Sequence, residues 1–276
     1  MPELPEVETI AADLRPQLIG SRFAAAHILW PRTLAAPDPE LLGARIAGRE
    51  VIAIGRRGKY LLVHLDSGQT LIIHLRMTGQ LAVVADDSPV LSGPHLRAAF
   101  DLADGRRLTF TDARKFGRIW LVDAIEQVVG KLGPEPLDWT FTSDVLAERL
   151  QTRRVAIKAL LLDQTVVAGV GNIYADEALF MASIHPRRPA YSLTGDEIAR
   201  LRDAIRAVLQ ESIDERGTML RDYRPPYGAE GGHQDYLLVY QQTGKPCPRC
   251  GAPIERIRVT QRSTHFCPRC QPEGKP

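Results

Sequence analysis

The chain has no apolar run approaching the roughly 18–20 residues that would span a bilayer. Its acidic opening also lacks the basic and apolar regions of a secretory leader. A membrane-embedded or exported protein is therefore not expected, and the cytoplasm is. Cysteine is missing from the first 246 residues, and disulfides are not expected in that compartment. Signs of disorder are missing too: of 276 residues, 44% are hydrophobic and 25% charged, ordinary for a globular protein of one large or two smaller domains. Nor is there a large overall charge, the net being +2. That near-balance hides an asymmetry, because residues 241–276 carry +5 and residues 1–240 carry −3. A small basic module on a nearly neutral body suits contact with a polyanion, although a solvated basic tail has the same signature.

What is present begins at the first residues, Met1-Pro2-Glu3-Leu4-Pro5-Glu6-Val7-Glu8-Thr9. If the initiator methionine is removed, Pro2 becomes a free secondary amine. An α-amino group titrates near ~7.7–8.0, so an appreciable fraction is neutral and nucleophilic at physiological pH. Attack of such an amine on a sugar C1′ or a carbonyl carbon gives a cationic iminium directly, and Glu3 and Glu6 are close enough in sequence for acid/base work. The same residues read as a helix start: Pro5 suits the first turn, Glu6 and Glu8 complement the dipole, and Val7, Ile10, Ala11, Leu14 and Leu18 repeat at helical spacing. The two readings are compatible, since a helix N-terminus disfavours a nearby cation and helps to keep an amine neutral.

Residues 50–122 read as strands at Val51–Ile54, Tyr60–Leu65, Thr70–Leu75, Gln80–Val84, Arg97–Leu102, Arg107–Thr111 and Arg118–Val122, separated by turn signals such as Asp66-Ser67-Gly68 and Ala103-Asp104-Gly105. An all-β body capped by one helix follows. Gly and Pro in residues 130–137 mark a linker, after which the period is helical: 143–150, 153–162, 172–182 and 194–215, with Ser143, Asn172 and Thr194 as caps. Gly169-Val170-Gly171 opens onto a helix; its amides suit a phosphate, but tight helix packing explains such glycines as readily. Residues 222–234 hold no regular pattern and read as a loop.

All four cysteines fall near the end, as Cys247-Pro248-Arg249-Cys250 and Cys267-Pro268-Arg269-Cys270. Paired C-x2-C knuckles at that separation suit one tetrahedral zinc, with a redox dithiol as the alternative. Four thiolates close the coordination sphere, so the expected metal is structural and holds a hairpin over 254–266 that is too small to fold alone. Gln261-Arg262-Ser263-Thr264 would lie near its tip, where Arg262 is equally readable as a solvated turn residue.

Together the opening motif, the β body, Gly169-Val170-Gly171-Asn172-Ile173-Tyr174 between helices, and the four-cysteine finger with Gln261-Arg262 closely resemble formamidopyrimidine-DNA glycosylase. This resemblance, running from residue 2 to residue 270, implies an α+β chain: an N-terminal β-sandwich with one leading helix (1–130), a helix–two-turn–helix domain with a lesion loop (131–240), and a C-terminal zinc-finger hairpin (241–276). It implies a bacterial base-excision repair enzyme, monomeric and associated with the nucleoid, acting on double-stranded DNA with an oxidised purine or an abasic site. Pro2 would then be the Schiff-base nucleophile at C1′ and Glu3 the proton donor for ring opening, with Glu6 among the catalytic groups. Lys59 would serve β-elimination and Arg262 δ-elimination.

The resemblance also assigns the DNA-holding groups. Met77 would enter the duplex from one loop, and Arg114 and Phe116 from another, because a base must be extruded before C1′ is accessible. Without it, Met77 and Phe116 read as core residues. His95, Arg153, Lys158 and Asn172 would contact phosphates, where Arg153 and Lys158 alone read as a solvated helix face. The lesion loop would include Thr218, Met219, Arg221 and Tyr223. Two departures stand out: Arg97 occupies a position where a second histidine is expected after His95, and Arg216 and Met219 interrupt what is usually Gly-Gly-Thr-Thr. An endonuclease VIII-like relative for oxidised pyrimidines is the nearest rival, opposed by Leu4 where those relatives have glycine. A non-catalytic DNA-binding paralogue is the other, opposed by the intact Pro2, Glu3, Glu6 and Lys59.

Overall fold

A computed structural model describes residues 1–218 and 232–273. They form two compact units, one of residues 1–131 with 216–218 and the other of residues 132–215 with 232–273.

In the first unit, helix α1 (Leu4–Leu18) begins at a Glu3 N-cap, and its stripe of Val7, Ile10, Ala11, Leu14 and Leu18 is buried. There follow β1 (Phe23–Ile28), β2 (Leu34–Ala36), α2 (Pro39–Ile46), β3 (Val51–Arg57), β4 (Tyr60–Leu65), β5 (Thr70–His74), β6 (Gly79–Val84), β7 (Leu96–Leu102), β8 (Arg107–Asp112), β9 (Arg118–Val122) and the short α3 (Glu126–Val129). The strands make a five-stranded sheet, β2-β9-β5-β4-β3, and a four-stranded sheet, β1-β7-β8-β6. All neighbours are antiparallel except β2 and β9. One core joins the sheets to α1, with Leu61, Val63, Leu71 and Ile73 from one and Leu81, Phe100, Leu108 and Phe110 from the other. The expected strands are all present to within three residues of their bounds. β1, β2 and α2 lie where the sequence gives no clear period: β1 reads Phe-Ala-Ala-Ala-His-Ile, poor in strand formers, and is an edge strand whose sheet neighbour among the described residues is β7.

Helix α1 is fixed to β3 through Glu8, whose carboxylate accepts from Arg15 Nη2 at 2.8 Å and Arg56 Nε at 3.1 Å. Burial by itself would push the Glu8 pKa up, but the two guanidiniums outweigh it and hold the carboxyl below its ordinary range. The residues preceding α1 are thus carried on a helix tied to β3, where Arg15 Nε also donates to Ile54 O at 3.0 Å.

The second unit contains α4 (Ser143–Leu150), α5 (Ile157–Leu162), α6 (Asn172–Met181), α7 (Gly195–Asp214) and a hairpin of β10 (Glu255–Val259) and β11 (Arg262–Phe266). Thr194 caps α7 in a reciprocal box with Glu197, as expected. The α4 cap is Thr142 and the α6 cap Gly171, each one residue earlier than the sequence suggests. The helix expected from 153 starts only at Ile157, because residues before it are extended: Ala156 bridges Pro189, and Ala190 N donates to Val155 O at 3.0 Å. The break between units falls inside the expected linker, after Lys131. Residues beyond it are nevertheless pinned, with Gly133 N donating to Gln164 O at 2.8 Å and Ala168 N to Pro134 O at 3.0 Å. A Cβ on Gly133 would lie 2.6 Å from Thr165 O, so a close backbone approach requires glycine there.

The four-cysteine segment packs within this unit, where Cys247, Ile254, Cys267 and Val239 share a cluster with Phe180 of α6. Arg249 adds to that attachment. Its guanidinium lies over the Phe180 ring at 4.4 Å and donates to Phe180 O at 2.9 Å, Met181 O at 3.1 Å and Ser183 Oγ at 3.1 Å. One cation of the basic tail therefore closes the C-terminus of α6, where the helix dipole favours positive charge.

Candidate active site

Pro2, Glu3, Glu6, Lys59 and Thr218 are all buried in the first unit. Glu6 Oε2 accepts from Glu3 N at 2.7 Å, and the Glu3 side chain accepts from the residue-6 amide in return, a capping box that fixes the peptide just after Pro2. The other oxygen of Glu6, Oε1, accepts from Thr218 N at 2.9 Å. Glu6, expected among the catalytic groups, has both oxygens on backbone amides. It joins the root of α1 to the first described residue of the expected lesion loop. Gly217 makes this possible: its φ is +83°, and a Cβ there would stand 3.3 Å from Glu6 Cγ. Arg216, where the resemblance leads one to expect glycine, also has a positive φ of 61° and donates from Nη2 to Asp13 Oδ1 at 2.7 Å. Met219, Arg221 and Tyr223 lie outside the described residues.

Lys59 sits in the turn between β3 and β4 after Gly58, whose φ is +55°. Burial first, then the charges of Arg76 and Lys59, push the imidazole of His74 down to about 3. His74 is therefore neutral, and its Nδ1 accepts from Arg76 N at 3.0 Å. This bond starts the turn that carries Met77.

Met77 is half-buried and Phe116 is 49% exposed, so neither is a core residue. Arg114 and His95 are exposed as well, and the Arg114 guanidinium lies 5.1 Å from the Phe116 ring centre. The turns that carry them end at Gly79 and Gly117, where an added Cβ would collide with the Phe110 ring. Between the turns lies Asp112, 1% exposed. Its Oδ1 accepts from the Thr78 hydroxyl and from Arg114 N at 3.1 Å; its Oδ2 accepts from Phe116 N at 2.7 Å and Gly117 N at 2.8 Å. Arg97, the departure beside His95, is not a second surface cation. It is buried, with Nε on Asp112 O at 2.8 Å and Nη1 on Pro94 O at 3.1 Å, and so holds the turn around His95.

In the second unit, Arg153 and Arg262 are exposed, Arg262 on the first residue of β11 beside a turn in which Thr260 and Gln261 both have positive φ. Lys158 requires a correction. It is expected on a surface, but its side chain is 0% exposed and Nζ lies 2.6 Å from Asp176 Oδ1. It also donates to Thr264 Oγ1 at 2.8 Å and Ser263 O at 3.0 Å. Asp176 Oδ2 accepts from His265 N at 2.9 Å, and Asn172 Nδ2 donates to the same Ser263 O at 3.0 Å. Lys158 and Asn172 thus clamp β11, and with it the backbone of Arg262, to α5 and α6. Gly169 N is likewise engaged internally, donating to Gln164 Oε1 at 2.9 Å, which favours packing for the glycine-rich turn.

Tetrahedral zinc–thiolate bonds of about 2.3 Å place neighbouring sulfurs roughly 3.8 Å apart. Cys247 Sγ and Cys270 Sγ are 3.8 Å apart, Cys250 Sγ and Cys267 Sγ 3.5 Å, and all four sulfurs lie within 4.8 Å of one another. The donor set fits a structural zinc.

Three family models match along the chain: the formamidopyrimidine-DNA glycosylase N-terminal domain at residues 1–119, the glycosylase H2TH domain at 132–223, and the zinc finger found in FPG and IleRS at 244–272. The chain belongs to the formamidopyrimidine-DNA glycosylase family. A family member from Chloroflexus aggregans is 53% identical over 98% of both chains. Among solved structures, a Lactococcus lactis FPG variant in complex with a Fapy-dG containing DNA has a TM-score of 0.92 at 37% identity, covering 99% of this chain and 100% of that one. The Lactococcus lactis Fpg bound to DNA with an abasic site has a TM-score of 0.91 at 37% identity, covering 98% and 100%. No helix among the described residues is long and apolar enough to cross a membrane.

Within this family member, sequence reasoning missed the buried groups that place the exposed ones: His74, Arg97, Asp112 and Asp176. A signal existed for Asp112, since an aspartate opening a turn two residues ahead of a donor amide is a common local cap. None existed for Asp176, whose partners lie at residues 158 and 265.

Proposed function

We propose that this glycosylase-family chain is a bifunctional DNA glycosylase and abasic-site lyase of base-excision repair, acting as a monomer on double-stranded DNA in the bacterial cytoplasm and nucleoid. Its substrates are oxidised purines, namely 8-oxoguanine and formamidopyrimidines, the latter class being present in the DNA of the Lactococcus complex. The observation that carries the reading is the buried, capped start of α1, which holds Pro2 and Glu3 in one fixed geometry. Once Met1 is removed, the Pro2 nitrogen bonds to C1′, the bond to the base breaks, and the proton shed by the Pro2 nitrogen leaves with the base. Glu3 donates a proton as the sugar ring opens, leaving a cationic iminium. Loss of a C2′ proton then expels the 3′ phosphate, with Lys59 as proton donor, and a second elimination assisted by Arg262 expels the 5′ phosphate.

Residues 1–130 serve as the catalytic domain, 131–240 as the helix–two-turn–helix domain and 241–276 as a finger with one zinc. Met77, Arg114 and Phe116 form the wedge that fills the stack when the base leaves it, an extrusion costing a few kcal/mol that bound contacts offset. His95, Arg153 and Asn172 hold the backbone; Thr218 begins the loop over the lesion. Borohydride reduction with an 8-oxoguanine or abasic duplex, followed by mass mapping, tests the chemistry: a cross-link at Pro2 is expected, and a trapped adduct elsewhere, or none, overturns it. Faster release of thymine glycol than of 8-oxoguanine in the same assay would reassign the substrate class.

A further inference from the structure

The two turns that bear Met77 and Arg114–Phe116 belong to different connections between the two sheets, β5 to β6 and β8 to β9, and each contains a residue in the left-handed region, Arg76 at φ 57° and Lys115 at φ 59°. Such turns do not hold themselves. One buried carboxylate serves both. Asp112 takes four donors on two oxygens: the Thr78 hydroxyl from the first turn, and the amides of Arg114, Phe116 and Gly117 from the second. Thr78 Oγ1 also accepts from Arg114 N at 3.2 Å, so the turns are joined directly as well as through Asp112. The backbone of Asp112 extends the link to a third segment, with its N donating to His95 O at 2.8 Å and its O accepting from Arg97 Nε.

We propose that Asp112, acting with Thr78, is the positioning residue that makes the Met77 and Arg114–Phe116 turns a single preformed wedge. The inference rests on the glycosylase reading and on those three side chains entering the duplex. A wedge assembled before contact loses less freedom on insertion than two independent turns, and so favours the extruded state of the base. An aspartate is required because every group facing it is a donor: an amide side chain would set an NH2 against an N–H or O–H at one of the two oxygen positions.

The test compares single-turnover borohydride trapping on duplex and on single-stranded DNA carrying the same abasic site, since only the duplex has a stack to fill. In Asp112→Asn the ratio of duplex to single-strand rate should fall at least tenfold, and in Thr78→Val by a similar factor, while Thr78→Ser, which keeps the hydroxyl, should restore the wild-type ratio. Thr78 carries the test alone if Asp112→Asn does not fold. Met77→Ala and Phe116→Ala are run alongside. If these lower the ratio but Asp112→Asn and Thr78→Val do not, the positioning role is wrong and the wedge stands. If none of the four changes the ratio, the wedge reading falls and this inference with it. Absence of trapping by the wild-type protein on either DNA would instead overturn the lyase chemistry.

Discussion

Replacing Lys158 with Met separates two accounts of a basic residue in the first turn of α5. As a phosphate contact, Lys158 would matter to DNA affinity and little to stability. The geometry says the reverse, because Nζ is enclosed and paired with Asp176 Oδ1 at 2.6 Å, with both side chains 0% exposed. Removing one member of a buried ion pair leaves a charge without compensation, at a cost of about 3–5 kcal/mol. Part of the damage is covered here. Asp176 Oδ2 keeps the His265 amide, and Ser263 O keeps Asn172 Nδ2. The lower end, about 3 kcal/mol, is therefore expected. With a urea dependence near 2 kcal/mol per M, the unfolding midpoint should drop by roughly 1.5 M.

The measurement is urea unfolding of the zinc-loaded protein, with amide exchange across residues 255–266 reporting on the hairpin itself. Lys158→Met combined with Asp176→Asn should recover part of the loss, because the stranded charge is gone and an amide oxygen still accepts from His265 N. DNA affinity is then followed against salt. A phosphate contact contributes about 0.9 to the slope of log K against log salt, and Lys158→Met should leave that slope alone. An unchanged urea midpoint together with a slope shallower by about 0.9 would refute the buried-pair argument and restore Lys158 to the phosphate-binding set.

Three further outcomes are expected. His74 is held near 3 against an ordinary 6.5, so its folded form binds fewer protons than the unfolded chain and its contribution to stability is lost as pH falls below 6.5; between pH 8 and pH 5 the wild type should lose about 2 kcal/mol more than His74→Gln in urea titrations. Removing zinc, by chelation or Cys267→Ser, should weaken DNA binding at least tenfold while the first unit unfolds at the same urea concentration; unchanged affinity would mean that the finger does not touch DNA. Retaining Met1, or adding one residue before Pro2, turns the nucleophile into an amide nitrogen, so binding to an abasic duplex should persist while strand cleavage and trapping disappear.

Much of this was legible in the sequence, for identifiable reasons. Strands β3 to β9 alternate or run apolar between turn pairs, and the C-x2-C knuckles require no context beyond their spacing. The 19–50 stretch was not legible because β1, with three alanines, takes its strand form from pairing with β7. The start of α5 was misplaced because tertiary bonds from residues 189 and 190 hold Ala156 and Val155 extended. Exposure was hardest to read. Lys158 is hidden by residues about a hundred positions away, whereas Phe116 is pushed outward by a turn whose organising carboxylate is four residues before it.

The two misreadings of exposure, at Lys158 and Phe116, each involve a buried carboxylate. A turn that carries a functional side chain has no ladder or helix to satisfy its amides, and buried donors without acceptors cost about 1–3 kcal/mol each. This chain repeatedly answers with a buried carboxylate. Asp112 accepts from three amides and a hydroxyl, Glu177 from the amides of Leu238, Val239 and Tyr240, and Glu6 from those of Glu3 and Thr218. A carboxylate suits the task because it offers only acceptors and can take several donors without being part of any repeat. Such a residue leaves no periodic trace, since its partners are fixed by three-dimensional proximity. Substituting it with the neutral amide should disturb the turn above it more than the core beneath it, so loss of function ahead of loss of fold is the expected signature at Asp112 and Glu6.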